Sequence, residues 1–404
     1  MAKKSKKKLK ILAVPANEGG CSYYRIIMPM NKLQENHPDE VEVKFDFNPL
    51  GWNKDEEDKL SAPSPNFEPS SLEWADIVFT QNIANFGGKY TLDLIHLSKE
   101  MGKFVHYDTD DLLIDLYEGH RLFDVYQNQG LSDLTKLFYY NADLVTVTQR
   151  KFADRVAPYV RGTLAVMRNA IDFKLPCWNQ PKIPSPRKKT CRVGWVGGIH
   201  HEEDVKEYQS VILAVNNKVG AERVHWGFYG RPPMPFDDEG KPAPDWQQDV
   251  WKNYEKILTR GVKHRNFGVY QAMPSSEYGR MYQTIDVSIA PLQMNAFNDS
   301  KSEIKLMECG RYEVPLIASD VGCYSDIIKN GHNGYLVPPD NPQSVWVKYM
   351  TRIIKDREHR EELGRNLKKT VDDHYDINKF TDQRLELYHH LLQIRDEIHE
   401  QQQS

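Results

Sequence analysis

The chain has 404 residues, which is long for one domain, so we expect two domains. Its formal net charge of −4 does not favour a protein that coats nucleic acid, although it is compatible with a local basic groove. No apolar run approaches the roughly 18 residues of a membrane span, so we expect no transmembrane segment. The scattered cysteines lack a C-x-x-C pair and fit a reduced, cytoplasmic protein.

Strands alternate with helices through the first half of the chain. Strands are predicted at 10–15, 41–47, 75–80, 103–107, 142–148 and 164–167, and helices at 22–34, 91–101, 131–140 and 149–159. Residues 48–72, rich in Pro, Asn, Asp and Ser, are predicted to form a long loop. Because each strand is nearly continuous in apolar residues, the pattern indicates a parallel sheet covered on both faces.

Residues 177–190 are the best linker candidate, since they carry three prolines and four cations. The alternating pattern then restarts, with strands at 191–196, 225–229, 285–290 and 314–319 and helices at 205–216, 275–284, 342–356 and 358–373. Residues 235–248 are predicted to form a polar loop. We therefore expect an N-terminal Rossmann-like domain (1–176), a linker (177–190), a C-terminal domain (191–374) and a C-terminal helix within 375–404 that packs back on the first domain.

Two doubly wound domains joined by one linker leave a cleft between them. Ligands of such sheets bind at the carboxyl ends of the strands. The glycine-rich and polar residues that directly follow predicted strands are Gly19, Gly20, Asp108, Asp110, Asp111, Gly197, Gly198 and the segment 301–308. These residues are therefore the first candidates for a functional site.

The segment 298–322 is predicted to start a helix at 298–302 and to continue into the strand at 314–319. A helix N-terminus that carries Lys301, Ser302 and Lys305 offers free N–H groups and two cations to one point in space. That combination predicts an anion site, with phosphate as the usual occupant. A solvated helix end with ordinary lysines is the alternative.

Several motifs resemble the retaining GT-B glycosyltransferases, in particular the family 4-like group. The segments that occur in the family's order include ADLVTVTQRKFADRV, VGWVGG and KLMECGRYEVPLIASDVGCYSDIIKNGHNGYLVPPDNP. The resemblance implies an α/β GT-B fold, with two doubly wound Rossmann-like domains that face each other across a cleft. It also implies a nucleotide-diphosphate sugar, uridine-based, as co-substrate, with no cofactor and no metal required.

The resemblance assigns roles to residues in the segment that begins at 298. Glu308 falls at the family's second glutamate, which binds the donor's ribose hydroxyls, while the first glutamate would fall at Ser300. Sugar contacts are therefore expected from Asp299, Ser300 or the neighbouring backbone. Lys301 and Lys305 then look like ligands of the donor phosphates, with Lys301 in a catalytic role.

Further candidates for donor contacts follow strands of both domains. They are Gly19, Gly20, Gly197, Gly198, His200, Arg231 and Ser302. Glycines let the backbone approach a diphosphate closely, although a pair of glycines also fits a tight turn. His200 and His201 are placed to reach the phosphates or to be merely exposed, and Arg231 is expected to touch the nucleotide.

Asp108, Asp110 and Asp111 form the sequence DTDD after a strand of the N-terminal domain. Three interpretations stay open: contacts with the sugar or the acceptor, a helix N-cap before LLIDLY, and a divalent cation on the diphosphate. We assign Asp108 and Asp110 to catalysis and Asp110 and Asp111 to the acceptor. Tyr24 and Arg25 are also acceptor candidates; Tyr24 alternatively packs in the core, and Arg25 alternatively pairs with an acid.

A narrower likeness concerns SYYRIIMP, HYDTDDLL, GWVGGIHHEED and FNDSKSEIKLME. These segments look like a divergent branch from bacteriophages and bacteria, some members of which glycosylate modified bases in phage DNA. It implies a hydroxymethylated pyrimidine in double-stranded DNA as acceptor, in the cytoplasm of a bacterium or a phage-infected host. A polysaccharide, lipid or small-molecule acceptor and a catalytically inactive nucleotide-sugar-binding module are the alternatives.

Overall fold

The computed structural model describes residues 7–54, 60–63, 68–83, 87–187, 189–235, 241, 245–259, 266–339 and 342–403. The strands of the N-terminal half are β1 (Leu9–Val14), β2 (Val41–Phe45), β3 (Trp52–Lys54), β4 (Leu60–Pro63), β5 (Ile77–Thr80), β6 (Phe104–Asp108), β7 (Leu144–Val147) and β8 (Thr163–Val166). Six of them form a parallel sheet in the order β2-β1-β5-β6-β7-β8. The helices of this half are α1 (Gly20–Ser22), α2 (Met28–Asn36), α3 (Ser70–Trp74), α4 (Gly87–Glu100), α5 (Leu131–Asn141) and α6 (Arg150–Val156).

The C-terminal half repeats this architecture. Its strands are β9 (Cys191–Val196), β10 (Val224–Arg231), β11 (Phe267–Gln271), β12 (Val287–Ala290), β13 (Leu316–Ser319) and β14 (Gly334–Val337), in the parallel order β11-β10-β9-β12-β13-β14. Its helices are α7 (Glu202–Val219), α8 (Trp246–Leu258), α9 (Ala296–Asp299), α10 (Ile304–Arg311), α11 (Tyr324–Ile327), α12 (Pro342–Lys355), α13 (Arg357–His374) and α14 (Ile377–Gln403). The predicted α/β class with two doubly wound domains is confirmed.

Separate apolar clusters cover the two faces of the second sheet. On one face, Trp195, Trp226 and Trp251 pack with residues of α7 and α12, and on the other Leu306 and Leu367 join α10 to α13. Strands buried on both faces need apolar side chains at successive positions, which explains the continuous apolar runs of the sequence.

Two predicted loops contain regular structure. Within 48–72 lie the antiparallel strands β3 and β4 and the start of α3, and Trp52 of β3 packs against the Tyr90 ring at 5.3 Å between centroids. The second loop, 235–248, ends in α8, which buries Val250, Trp251 and Tyr254. The first prediction was wrong at 52–54, 60–63 and 70–72, and the second was wrong at 246–248, while residues 236–240 and 242–244 lie outside the described part of the chain. Polar residues dominate both local sequences, whereas a few aromatic contacts with distant elements fix the structure.

The segment 275–284 was predicted as a helix and forms a 3-10 helix (Ser275–Thr284). The five cysteines of the chain are free thiols. No helix among the described residues combines the length and the apolar composition needed to cross a membrane.

The last helix, α14, returns from the C-terminal domain to the N-terminal one. Leu385 and Tyr388 of α14 join the apolar cluster under β1, with Ile11 and Ile26. Just before α14, the N–H of Ile171 donates to the carbonyl of Tyr375. The two domains are therefore joined by this helix as well as by the linker.

Glu313 occupies a backbone conformation that favours glycine. Its φ of 54° lies in the left-handed region, and among the described residues it is the only non-glycine residue with a positive φ. It forms the turn between α10 and β13. Gly364 of α13 packs so closely on this turn that a Cβ there would lie 2.1 Å from the Glu313 carbonyl oxygen.

We expect Glu313→Gly to stabilise the protein by about 0.5–1 kcal/mol. Removing the Cβ relieves roughly 1–2 kcal/mol of left-handed strain, and the larger entropy of glycine in the unfolded chain offsets part of this gain. Urea denaturation measures the change. Glu358→Gly in the first turn of α13 is the control and should destabilise the protein; a loss of stability in Glu313→Gly would contradict the expectation.

Candidate active site

A cleft of about 250 Å³ lies between the two domains, at the carboxyl ends of their strands. Its lining includes the predicted site residues Gly20, Tyr24, Asp110, Asp111, Gly197, Gly198, His200, Lys301, Ser302, Lys305 and Glu308. It also includes His201, the second histidine predicted to reach the phosphates, and residues to which the sequence analysis gave no site role, namely Cys21, Asn169, Val196, Tyr278, Leu292, Ile304 and Tyr324. The cleft thus brings together most of the candidates from both halves of the chain.

Lys301 forms an ion pair across the cleft. Its Nζ lies 3.2 Å from Asp111 Oδ1 and 4.2 Å from the centroid of the Phe297 ring. Burial disfavours the charged form of Asp111, but the Lys301 ammonium outweighs burial, so the pKa of Asp111 is lowered. This pair fixes Lys301 at the boundary between the domains.

Lys305 differs from Lys301 because its ammonium group has no hydrogen bond or ion pair with any of the described residues. Burial, together with repulsion from Lys301, lowers the pKa of Lys305 to about 8. A half-buried cation without a counter-ion is costly unless an anion joins it. Lys301 in the connection before α10 and the unpaired Lys305 in its first turn therefore create a site for a ligand with negative charge.

Glu308 is buried at the far side of the cleft, between two tyrosines. The Tyr24 hydroxyl donates to Oε1 and the Tyr282 hydroxyl donates to Oε2, each at 2.8 Å. Burial raises the pKa of Glu308 to about 7, although both hydrogen bonds favour the ionised form. A carboxylate has about four lone-pair directions, so Glu308 can still accept hydrogen bonds from a ligand.

The helix predicted to start at 298–302 is present as α10, but its start lies later than predicted. Helix α9 ends at Asp299 and α10 begins at Ile304, so Lys301 and Ser302 lie in the connection between two helices. The N–H groups of Ser300 and Lys301 are already bonded to carbonyl groups of α9. The cations of this segment are therefore available to a ligand in the cleft, but these two amides are not.

The sugar contacts predicted for Ser300 and Asp299 are corrected as well. Ser300 is buried, and its hydroxyl donates to the Ala296 carbonyl at 2.9 Å. The Asp299 carboxylate accepts from Lys151 Nζ at 2.8 Å and pairs with Arg155, both on α6 of the other domain. Neither residue lines the cleft. Ser300 fixes the connection between α9 and α10, and Asp299 joins that connection to α6 of the N-terminal domain.

Arg25 and Asp108 form a buried bidentate ion pair, with exposures of 2% and 1%. Arg25 Nε donates to Asp108 Oδ1 at 2.8 Å and Arg25 Nη2 to Asp108 Oδ2 at 2.7 Å. Of the alternatives for Arg25, pairing with an acid is the one observed. The structure does not support the predicted contact of Arg25 with an acceptor or the predicted catalytic role of Asp108. The two side chains bind each other, and neither lines the cleft.

Asp110 and Asp111 face the cleft, and the structure shows no helix beginning there, so the helix-cap interpretation is wrong. Burial and the neighbouring Asp111 charge raise the pKa of Asp110 to about 6. Among the described residues, no group of three or more His, Cys, Asp or Glu side chains is arranged to hold a metal ion. Asp110 is thus a half-buried carboxyl group that changes its charge near neutral pH.

The remaining candidates divide between the cleft and its surroundings. Gly198 borders open space, where a Cβ would meet no atom within 4 Å, and His200 beside it has its pKa lowered by burial. Gly19 is not part of the lining; its N–H donates to the Asn17 side chain at 2.7 Å. Arg231 also lies outside the lining, because its Nε donates to Gln248 Oε1 at 2.7 Å, so the predicted nucleotide contact has no support.

Tyr282 and Asn169 matter to the site although the sequence gave little sign of it. Tyr282 holds Glu308 from a distance of 26 residues in sequence, and Asn169 donates to Ser302 Oγ at 2.9 Å from the other side of the linker. A tyrosine in a helical pattern and an asparagine in a loop do not by themselves indicate a functional role. Their roles become visible only in the structure, where each bonds to a residue of the cleft lining.

Comparisons with known proteins agree with this architecture. Residues 252–370 match the sequence model of the family "Glycosyl transferases group 1". An uncharacterized glycosyltransferase of Methanocaldococcus jannaschii is 29% identical over 110 residues; the match spans 27% of this chain and 26% of that relative, so only about a quarter of the relative's length is covered.

Two solved structures resemble the chain over nearly its whole length. Sucrose-phosphate synthase from Thermosynechococcus elongatus superposes with a TM-score of 0.66 at 12% identity, covering 96% of this chain and 100% of that one. HepE of Anabaena, in complex with UDP and glucose, gives 0.62 at 15% identity, covering 95% and 99%. The likeness shows that the chain has the GT-B fold, and together with the family match it supports a GT-B glycosyltransferase.

We expect the affinity of the cleft for inorganic diphosphate to fall as the pH rises through about 8. Lys305 is charged below this pH and neutral above it, because its pKa of about 8 is lower than that of an ordinary lysine. The neutral amine attracts the anion less than the ammonium does. Isothermal titration calorimetry between pH 7 and 9.5 measures the change.

Two variants separate Lys305 from the titration of diphosphate itself. Lys305→Arg stays charged throughout this range and should bind with a weaker pH dependence. Lys305→Met should bind about tenfold more weakly at pH 7 and lose the transition at pH 8. An unchanged profile in Lys305→Met would contradict a role for Lys305 in binding the anion.

Proposed function

We propose that the protein is a retaining glycosyltransferase that transfers a sugar from a UDP-sugar to a hydroxyl group. The observation that carries the proposal is the unpaired Lys305 beside Lys301, in a cleft bordered by Gly198 and by the buried carboxylate of Glu308. Cations and a close backbone approach suit a diphosphate, and a carboxylate suits the vicinal hydroxyls of ribose. The UDP and glucose bound by HepE, at 15% identity, add support for this class of donor.

The donor would lie with its diphosphate at Lys301 and Lys305. As the bond between the sugar C1 and the phosphate oxygen breaks, negative charge grows on the leaving diphosphate, and the two ammonium groups stabilise that charge. The Asp111 carboxylate that holds Lys301 is exchanged for phosphate oxygens when the donor binds. Lys301 would thus keep a charge-assisted contact after the exchange.

Retention of configuration requires the acceptor oxygen to attack C1 on the face that the phosphate leaves. A new C1–O bond forms there, and the acceptor's proton passes to an oxygen of the departing diphosphate, so that UDP leaves with the added proton. Asp110, which lies on the N-terminal side of the cleft with a pKa of about 6, is placed to orient the acceptor hydroxyl. No metal and no cofactor take part in the proposed reaction.

We expect Lys301→Ala and Glu308→Ala each to lower kcat/KM for the UDP-sugar by about 100-fold or more, since each removes a charged contact to the donor. Release of UDP from a panel of UDP-sugars measures the rate. Lys252→Ala on the exposed face of α8 is the control and should retain the wild-type rate.

Two outcomes would contradict the proposal. A wild-type chain that binds UDP-sugars without turnover, with or without acceptors, would favour the catalytically inactive binding module. A product of inverted anomeric configuration, seen by proton NMR, would instead favour Asp110 as a base that activates an acceptor on the opposite face.

The acceptor class is proposed from the narrower likeness alone: a hydroxymethylated pyrimidine in double-stranded DNA, modified in the cytoplasm. We expect digests of hydroxymethylcytosine-containing DNA, incubated with the protein and UDP-sugars, to contain a glycosylated nucleoside by mass spectrometry, while unmodified DNA stays unchanged. Transfer to a polysaccharide, lipid or small molecule, with none to modified DNA, would overturn this choice of acceptor.

A further inference from the structure

Buried polar side chains form one continuous hydrogen-bond network from the C-terminal helix to the cleft. Its members, in order, are Tyr388, His106, Thr146, Asp108, Arg25, Asn169 and Ser302. The first six are at most 3% exposed, and the network reaches the cleft lining at Asn169 and Ser302. The network passes through the N-terminal sheet and crosses to the C-terminal domain at its last bond.

The chemistry of the members fixes the direction of the bonds near the cleft. Arg25 carries only N–H donors, so the Asn169 atom that lies 3.0 Å from its Nη1 is the amide oxygen. Asn169 therefore presents its NH₂ group to Ser302 and donates to the Ser302 hydroxyl oxygen at 2.9 Å. Since this oxygen accepts a hydrogen bond from Asn169, the hydroxyl proton of Ser302 is left to point into the cleft.

The far end of the network is equally determined. The Asp108 carboxylate accepts from the hydroxyl of Thr146, so Thr146 must accept from His106 Nε2 at 2.7 Å. His106 Nδ1 then accepts from the Tyr388 hydroxyl at 2.8 Å. The Asp108 carboxylate therefore sets the tautomer of His106 through Thr146, and Tyr388 of α14 donates to the remaining ring nitrogen.

We infer that Arg25 and Asn169 are positioning residues that make the Ser302 hydroxyl a dedicated hydrogen-bond donor to the diphosphate of the bound nucleotide. The inference rests on the proposed function and names the part of the ligand that Ser302 recognises. Phosphate oxygens are acceptors only, so a hydroxyl whose proton must point outward favours them over groups that donate.

Calorimetric titration with UDP and with uridine tests the inference, because only UDP carries the diphosphate. We expect Ser302→Ala and Asn169→Ala each to weaken UDP binding about tenfold and to leave uridine binding within about twofold of wild type. The double variant should bind UDP no more weakly than either single variant, since both changes remove the same hydrogen bond. Ser302→Thr keeps a hydroxyl and should retain most of the affinity.

Two further variants separate this role from general damage to the fold. Asn36→Ala removes another asparagine that bonds to α14, far from the cleft, and should leave UDP binding unchanged. Asn169→Asp is isosteric and keeps the bond to Arg25, but its carboxylate would accept the Ser302 proton. We expect it to weaken UDP binding at least as much as Ser302→Ala, and it replaces Asn169→Ala if that variant does not fold.

The possible failures are distinguishable. UDP binding that is unaffected by Ser302→Ala, or losses that simply add in the double variant, would overturn the inference while the proposed function stands. Equal losses of uridine and UDP affinity would likewise overturn it, because the effect would not depend on the phosphates. A wild-type chain that binds no UDP would overturn the proposed function and, with it, the inference.

Discussion

The buried ion pair between Arg25 and Asp108 is the interaction on which the rest of the site depends. It lies below the cleft, at the end of β6, and both partners are almost completely excluded from solvent. Removing one partner of such a pair leaves an uncompensated buried charge and costs roughly 3–5 kcal/mol. Both groups are therefore held in one arrangement, and they impose it on Thr146 and Asn169, which bond to them.

Above this pair, side chains of the two domains contact each other around the cleft. Tyr24 reaches Glu308, Asp111 reaches Lys301 and Lys151 reaches Asp299. The first two contacts engage side chains to which we assign the donor. In the proposed complex, donor binding would therefore rearrange these contacts or share them.

The charges of the cleft are poised near neutral pH for one physical reason. Burial between two domains raises the pKa of Glu308 and Asp110 and lowers that of Lys305, because each loses hydration that favours its charged form. In the proposed complex, the phosphates would compensate the lysine and the ribose hydroxyl groups would compensate the Glu308 carboxylate.

Local patterns in the sequence predicted the two doubly wound domains and singled out Lys301, Lys305 and Glu308, which line the cleft. These features are predictable because a buried strand is a short continuous apolar run, and the residues that directly follow such runs lie at the edge of the sheet where ligands bind. The sequence did not determine the break between α9 and α10, which takes Ser300 away from the ligand, nor the helix α8. Nor did it show which charged residues would form buried ion pairs with each other and so be unavailable to a ligand.

Arg25 and Asp108 show that last limit most clearly. They lie 83 residues apart, and nothing in either local sequence distinguishes a buried partner from a ligand-binding group. Only the tertiary structure brings the π-helical turn (Tyr23–Ile27) against the end of β6, and the cost of burying a lone charge then forces the two to pair. Lys305 stays unpaired in that same structure because none of the described carboxylates reaches it, and this leaves its charge for a ligand.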